Sequence, residues 1–497
     1  MQIIHIASEL APCAKVGGLA DVVLGLSREL QNQKHDVSVI IPKYDCLDLS
    51  TIEELEVAVK GLKSFDGNPD HQSTIWKGKV EDLTVYFVDP QHPAEHFSRD
   101  CFYGCEDDIE RFTFFARSAV EYLVQTKQSP DVIHLHDWQT ALIAPLIKEI
   151  YQKQGLDDSR IIFTIHNMEH QGWCMRQDLK KIGLPPDEFM TPEGLQDNVR
   201  FWDANLMKGG IVYADSVVTV SPTYATEVQS ADQGRTLETT LTQFKDKFSG
   251  ILNGLDDRFW NPMADRYLSN PFSIKDLKGK EKNKRELQER FSLAIEDKPI
   301  VATVSRLVPQ KGVNMMGHAI ARTAELGGQF ILLGTSPIPS ISREFSELKD
   351  LFTDHPHVHL ELNHHEHLAH LIYAGADMLL VPSAFEPCGL TQLIAMKYGT
   401  VPIVRRTGGL ADTVFDVDFS EKPYEERNGY SFDDLDANGV NSALDRAIKH
   451  YRDYPDIWKH MMEVGMKTSY DWKKPAKEYL KLYKKAKNKK KKVAVKK

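Results

Sequence analysis

Arg306 and Lys311 stand five residues apart in VSRLVPQKG, directly after the apolar run IVATV. A guanidinium grips two oxygens at once and an ammonium adds a point charge, so this pair in one short loop suits a diphosphate. A solvated loop would carry the same pair, but Arg306 follows a run built for burial. Another cation, Lys15, precedes Gly17 and Gly18 in KVGGLADVV. Where glycines open a helix, free backbone N–H groups and the helix dipole favour a phosphate, and a lysine adds a full charge. The spacing is neither GxGxxG nor GxxxxGK[ST], and a turn with a surface lysine reads the same way. Glu386 opens EPCGLT ahead of a helix expected over 389–398 and stopped by Gly399. It reads either as a helix cap or as a carboxylate facing positive charge on a sugar-like transition state.

These groups need strands and helices to position them. Short apolar runs alternate with helical patterns along the chain: IIHIAS, VSVIIP, TVYFVD, DVIHLHD, IIFTIH, SVVTVS and GILNG, then IVATVSR, FILLGT, HVHLEL, DMLLVPS and VPIVRR. Continuous rather than alternating hydrophobicity predicts strands buried on both faces, hence parallel sheets covered by helices and an α/β fold with two sheets. In such sheets ligands bind beyond the carboxyl ends of the strands. Polar residues collect at those ends: His136, Asp137 and Trp138; His166 and Asn167; Asn253; Ser305 and Arg306; Ser383, Glu386 and Cys388. Drawn from both halves, they predict a polar cleft between two domains. The phrase GGLADVV at 17–23 returns as GGLADTV at 408–414, each copy leading into a helical pattern. That echo predicts two similar halves, each bringing a glycine turn and a helix start to the cleft.

With 497 residues the chain is too long for one ordinary core. A polar, lysine-rich lapse from 261 to 297 marks the seam. Net charge is −10 although residues 487–497 hold seven lysines and no acid, so the body is more acidic still. An acidic body argues against nucleic acid as the main partner, and the lysine end reads as a disordered solubilising tail. No apolar run reaches membrane-span length. Met1 stands just before the first strand, leaving no visible leader, and the six cysteines form no Cys-x-x-Cys pair; the reading is a reduced, cytoplasmic protein away from membranes. Cys101 and Cys105 lack two further metal ligands. Asp416-Val-Asp418 matches the Asp-x-Asp metal pair of some sugar transferases but falls in a helix-exit loop. Seven of nineteen histidines lie between 355 and 370 and read as cleft lining or surface before metal ligands.

The longer motifs carry a resemblance. KVGGLADVV, HLHDWQTAL, HNMEHQG, VSPTYA, NGLDDRFWNP, VSRLVPQKG, FEPCGLTQLIAMKYGTVPIVRRTGGLADTV and NGYSFD occur in one order. In these the chain closely resembles the bacterial glycogen synthases and plant starch synthases, from about Met1 to about Ala486, with details most similar to plastid soluble starch synthases and their bacterial relatives. The resemblance implies a GT-B fold, two Rossmann-like domains facing across a central cleft. It divides the chain into 1–258, an interdomain connection 259–297, a nucleotide-binding domain 298–465, a C-terminal helix 466–486 crossing back to the first domain, and the tail 487–497. It implies transfer of glucose from ADP-glucose to the 4-hydroxyl at the non-reducing end of an α-1,4-glucan, with retention of configuration, no cofactor and no metal. Lys15, Gly17, Gly18, Asp21 and Tyr103 then belong to the donor site. Arg306 and Lys311 neutralise the leaving diphosphate, Glu386 faces the glucosyl ring, and the backbone of Cys388, Gly389 and Leu390 binds its hydroxyls. His166 contacts the sugar near the reacting carbon, with Asp137, Asn167 and Asn253 on the glucosyl and acceptor side.

The chemistry suits those residues. Breaking a sugar–phosphate bond builds positive charge on the ring and negative charge on the diphosphate, which a carboxylate and a set of cations receive. Retaining hydrolases use two carboxylates about 5 Å apart. Here one is evident, and the resemblance implies a same-face displacement in which the leaving phosphate assists the acceptor hydroxyl. A dehydrogenase would need the GxGxxG that is missing, and a non-catalytic relative would tend to lose the cations or the glutamate. A pyridoxal-dependent phosphorylase shares the two-domain shape and differs in its donor. The chain departs from many bacterial members at Ala231–Phe244, which reads ADQGRTLETTLTQF, and at His364, where an aromatic often sits beside the base.

Overall fold

The computed structural model describes residues 1–64, 71–363 and 365–494, with side chains as far as residue 488. His364 lies outside the described residues. The chain divides into two compact units, Met1–Gly254 with Trp472–Lys497, and Leu255–Asp471.

The first unit runs β1 (Gln2–Ile6), β2 (Asp36–Pro42), β3 (Glu53–Lys63), β4 (Gln72–Val80), β5 (Leu83–Gln91), β6 (Val132–His136), β7 (Arg160–Ile165), β8 (Trp173–Met175), β9 (Asp203–Asn205), β10 (Ser216–Thr219) and β11 (Phe248–Gly250). Nine of these make one sheet in the order β11-β10-β7-β6-β1-β2-β5-β4-β3, while β8 and β9 pair separately. Every pair from β11 to β5 is parallel, and β5/β4 and β4/β3 are antiparallel. The apolar runs become the parallel strands because both faces are covered; Ile3, Ile4 and Ile6 have no exposed surface. The β3–β4 ribbon was not legible as strands. EELEVAVKGLK is rich in glutamate, and its side chains alternate between half-buried and exposed over most of its length, so no continuous apolar run marks it. β11 also sits earlier than GILNG suggests, which leaves Asn253 three residues beyond its end.

The second unit holds β12 (Ile300–Val304), β13 (Gln329–Leu333), β14 (Val358–Glu361), β15 (Met378–Val381), β16 (Val401–Arg405) and β17 (Tyr430–Phe432), all parallel, in the order β14-β13-β12-β15-β16-β17. Alternate residues serve two cores. Ile300, Ala302, Ile331 and Leu333 enter one, Val301, Phe330 and Leu332 the other. The stretch 259–297, expected as a connection, packs into this unit. Trp260, Leu268, Phe272, Leu287 and Phe291 join the first of those cores. Its many charges hid this, and one of them is internal: buried Lys280 donates to the carbonyls of Ala374, Ala376 and Tyr398 and to Thr400 Oγ1. Burial lowers its pKa to about 7.

The last helix, Lys473–Ala494, packs in the first unit through buried Ala476, Tyr479 and Tyr483. Gly25 makes room for Trp472, the residue just before that helix, since a Cβ there would lie 2.0 Å from Trp472 Nε1. The helix extends through residues expected to be a disordered tail. Lysine is a good helix former, and Lys487 pairs with Asp131. No helix among the described residues is long and apolar enough to cross a membrane.

Among the parallel strands of each sheet the order reverses at one place, between β1 and β6 in the first unit and between β12 and β15 in the second. Connections leaving two such neighbours run to opposite sides, which opens a crevice at their carboxyl ends.

Candidate active site

In the second unit the loops at that crevice are the ones that follow β12 and β15. The first carries exposed Arg306 and half-buried Lys311. It turns back at Gly312, whose φ of 69° is left-handed and whose missing Cβ would stand 2.0 Å from Pro382 O. That approach lays the two loops side by side. Gln310 O accepts from Ala384 N at 2.8 Å, and Lys311 Nζ donates to Glu386 Oε2 at 2.6 Å. Ser383 Oγ donates to the same oxygen at 2.8 Å. Glu386 is only 6% exposed, so its carboxylate is held by a cation and a hydroxyl rather than by water. It does not cap a helix: the next one, Thr391–Lys397, starts five residues later with Leu390 at its N-cap. Between them Gly389 takes a φ of 71°, and Gln392 Nε2 donates to the carbonyls of Cys388 and Gly389. The turn Cys388–Leu390 is thereby fixed from its carbonyl side.

The repeated GGLAD takes a structural part here. Gly408 and Gly409 open the helix Gly408–Thr413, and Cβ atoms on them would lie 2.0 Å from Glu386 O and Cys388 O. Gly409 N donates to Glu386 O at 3.0 Å. The second copy is the floor under the Glu386 turn. The first copy differs, since a Cβ on Gly17 would meet nothing within 4 Å.

In the first unit the Lys15 loop leads into the helix Gly18–Asn32. Lys15 Nζ lies 2.9 Å from Asp21 Oδ1. Val16 N and Gly17 N donate to Glu9 Oε2 at 2.8 and 3.0 Å, and Tyr103 Oη donates to Glu9 Oε1 at 2.7 Å. Tyr103 also meets Ser8 Oγ at 2.8 Å. Glu9, 4% exposed, is thus the hub that ties the glycine loop to Tyr103. The sequence offered no signal for it beyond its place after β1, because a single glutamate there carries no spacing.

At the ends of β6 and β7, Asp137 Oδ1 accepts from His166 N at 2.7 Å. Asp137 has a φ of 55°, a strained value for a non-glycine residue at a strand end. Desolvation raises its carboxyl pKa to about 7 against the backbone bonds that favour the charged form. Asn167 Oδ1 accepts from Glu169 N at 2.9 Å. Asn253 is buried, with Oδ1 lacking a hydrogen-bond partner among the described residues. His166 Nε2 lies 3.0 Å from His136 Nδ1, and His136 Nε2 lies 3.0 Å from His5 Nδ1. His134 joins the stack, its nitrogens bonded to Tyr483 Oη and Thr164 Oγ1.

Burial holds all four imidazoles neutral, with His5 and His166 lowered to about 3 and His134 and His136 well below the usual value. Because these folded-state values lie below 6.5, the unfolded chain takes up protons that the folded chain refuses. Stability is whole above about pH 6.5 and declines as pH falls towards 3, by about 1.4 kcal/mol per pH unit for each histidine. Urea midpoints measured from pH 7.5 to 5 should fall steeply below pH 6.5, and a flat profile would contradict the buried stack.

The weaker metal candidates resolve into local structure. Arg446 neutralises Asp416 and Asp418 together, with Nη1 at 2.9 and 2.6 Å. Cys101 and Cys105 Sγ atoms touch at 3.1 Å as free thiols. Of the histidine run, His370 is buried, bonded to Asp265 at 2.7 Å and stacked on Trp260, and His359 stacks on Phe291.

Residues 2–243 match the family model described as the starch synthase catalytic domain, and residues 284–460 that described as glycosyl transferases group 1. Over 97% of this chain and 99% of the relative, the sequence is 54% identical to a glycogen synthase of Protochlamydia amoebophila. The chain belongs to the glycogen and starch synthases. A further member, the probable starch synthase 4 of Arabidopsis thaliana, is 46% identical over 97% of this chain and 47% of its own length. The solved catalytic domain of starch synthase IV from Arabidopsis thaliana, bound to ADP and acarbose, superposes with a TM-score of 0.95 at 46% identity, covering 98% of this chain and 99% of that one. The architecture is the GT-B type of this family, and the activity that goes with it is glucosyl transfer.

Proposed function

We propose that the enzyme moves glucose from ADP-glucose to the 4-hydroxyl at the non-reducing end of an α-1,4-glucan in the cytoplasm, retaining configuration and needing no metal. Arg306 and Lys311 take the charge of the departing diphosphate, and Lys15 with the Gly17–Gly18 helix start also serves the donor. Glu386, oriented by Lys311 and Ser383, faces the positive charge that develops on the ring, and the Cys388–Leu390 backbone holds ring hydroxyls. His166 stands near the reacting carbon, with Asp137, Asn167 and Asn253 towards the glucosyl and acceptor groups. Asp21 steadies Lys15, and Tyr103 steadies the glycine loop through Glu9. With one carboxylate in this role, the acceptor hydroxyl attacks from the side the phosphate leaves and passes its proton to that phosphate.

The observation that carries the reading is the Lys311–Glu386–Ser383 arrangement at the reversal of the second sheet, in a fold whose solved relative holds ADP and acarbose. Side-by-side kinetics with ADP-glucose and UDP-glucose, on glycogen and on a short maltooligosaccharide, test it. ADP-glucose should be used with the higher kcat/KM on both acceptors, and preference for UDP-glucose would overturn the donor assignment. Lys15→Ala should raise the donor KM by about tenfold, the worth of one phosphate-directed cation, while glucan affinity stays within twofold. Its exposed pair with Asp21 contributes little to stability, so the fold should be unaffected. Glucan affinity falling while donor affinity holds would contradict that role.

A further inference from the structure

The imidazole chain His166–His136–His5 has a direction, and the direction decides what His166 presents. A neutral imidazole has one N–H and one lone pair, so each ring in a chain must donate at one nitrogen and accept at the other. If protons point inwards, His166 donates through Nε2, His136 donates to His5, and His166 Nδ1 is left as an acceptor. If they point outwards, His5 Nδ1–H donates to His136 Nε2, His136 Nδ1–H donates to His166 Nε2, and His166 Nδ1 carries a proton. The inner end selects between them. His5 is fully buried, and its Nε2 has no hydrogen-bond partner among the described residues. The inward arrangement would place an N–H on that atom; among buried backbone groups an orphaned N–H is rarer than an under-satisfied acceptor, and the same preference is carried over to the ring.

We infer that His136 and His5 are positioning residues that lock His166 in the tautomer protonated at Nδ1, so that it offers a hydrogen-bond donor to an oxygen of the glucosyl group. The lowered pKa values of the set accord with this, because a charged member would donate at both nitrogens and break the single direction. The role rests on the proposed place of His166 beside the sugar; the tautomer does not.

The test is long-range proton–nitrogen correlation NMR on the full chain labelled with 15N-histidine, with His166 assigned by the signals lost in His166→Gln. His166 should show a pyrrole-type Nδ1 and a pyridine-type Nε2. A pyrrole-type Nε2, or two averaged nitrogens, overturns the inference without any variant of the stack. In His136→Phe, which removes the donor, turnover should fall at least tenfold with both KM values within threefold, and His166 should lose its single tautomer. His136→Gln, which keeps an N–H donor, should recover most of that turnover. Unchanged turnover in folded His136→Phe would overturn the positioning role. Failure of the unmodified enzyme to extend glucan would remove the proposed function and leave the tautomer standing; transfer with the proton on Nε2 would remove the inference alone.

Discussion

Replacing Glu386 by glutamine should leave a folded protein whose turnover is lower by about a hundred- to a thousandfold, or about 2.7–4 kcal/mol of lost transition-state stabilisation. The amide has the carboxylate's shape, so Ser383 can keep its bond through the remaining oxygen. What is lost is the charge. Lys311 then has no carboxylate beside it, and in the proposed mechanism the ring loses the anion that answers its developing positive charge. Donor KM should change far less than kcat, because the charge on the sugar appears only as the bond to phosphate breaks. Steady-state kinetics with a labelled donor check this, beside circular dichroism to establish the fold. Wild-type turnover in the folded variant would take Glu386 out of the mechanism.

Gly409→Ala should cost nearly as much without touching a charged group. The added methyl would meet Cys388 O at 2.0 Å and Cys388 Cα at 2.5 Å, both backbone-held, so the turn that follows Glu386 has to move. Overpacking of this kind costs about 1–3 kcal/mol of stability, and a displacement of about 1 Å at a reacting centre costs about a hundredfold in rate. The N–H of Gly409 bonds the main-chain carbonyl of Glu386, so the shift moves the backbone that carries the carboxylate. Thermal unfolding and kcat measured together should both fall. A variant with unchanged kcat would show that the floor under Glu386 does not set its position.

The parallel strands were legible because burial on both faces forces continuous apolar runs, and eleven of the twelve runs lie in strands at nearly the expected places, GILNG being the exception. HVHLEL, which alternates, still became β14, since Val358 and Leu360 point to the core while His359 stacks on Phe291. The β3–β4 ribbon escaped because its burial alternates along each strand and leaves no continuous apolar run, and β17 because three residues are too few to show a pattern. Of the candidate site, the charged residues stood out by type and spacing. The structure joins Lys311 to Glu386, Lys15 to Asp21, and Asp137 to His166. What could not be read were Glu9 gathering two backbone N–H groups and Tyr103, and His5 behind His136; Ser383 and the glycines at 408 and 409 were visible in the sequence, but not that the one shares the Glu386 oxygen and the others lie beneath its turn. Each depends on contacts between segments far apart in the chain, and one residue type in isolation does not encode them.

The most direct test of the whole account is to offer the purified enzyme glycogen with either ADP-glucose or glucose 1-phosphate, and to follow ADP release and the anomeric configuration of the added unit by NMR. The account predicts α-1,4 extension from ADP-glucose with one ADP released per glucose, and none from glucose 1-phosphate. Extension from glucose 1-phosphate alone, or a β-linked product, would contradict it.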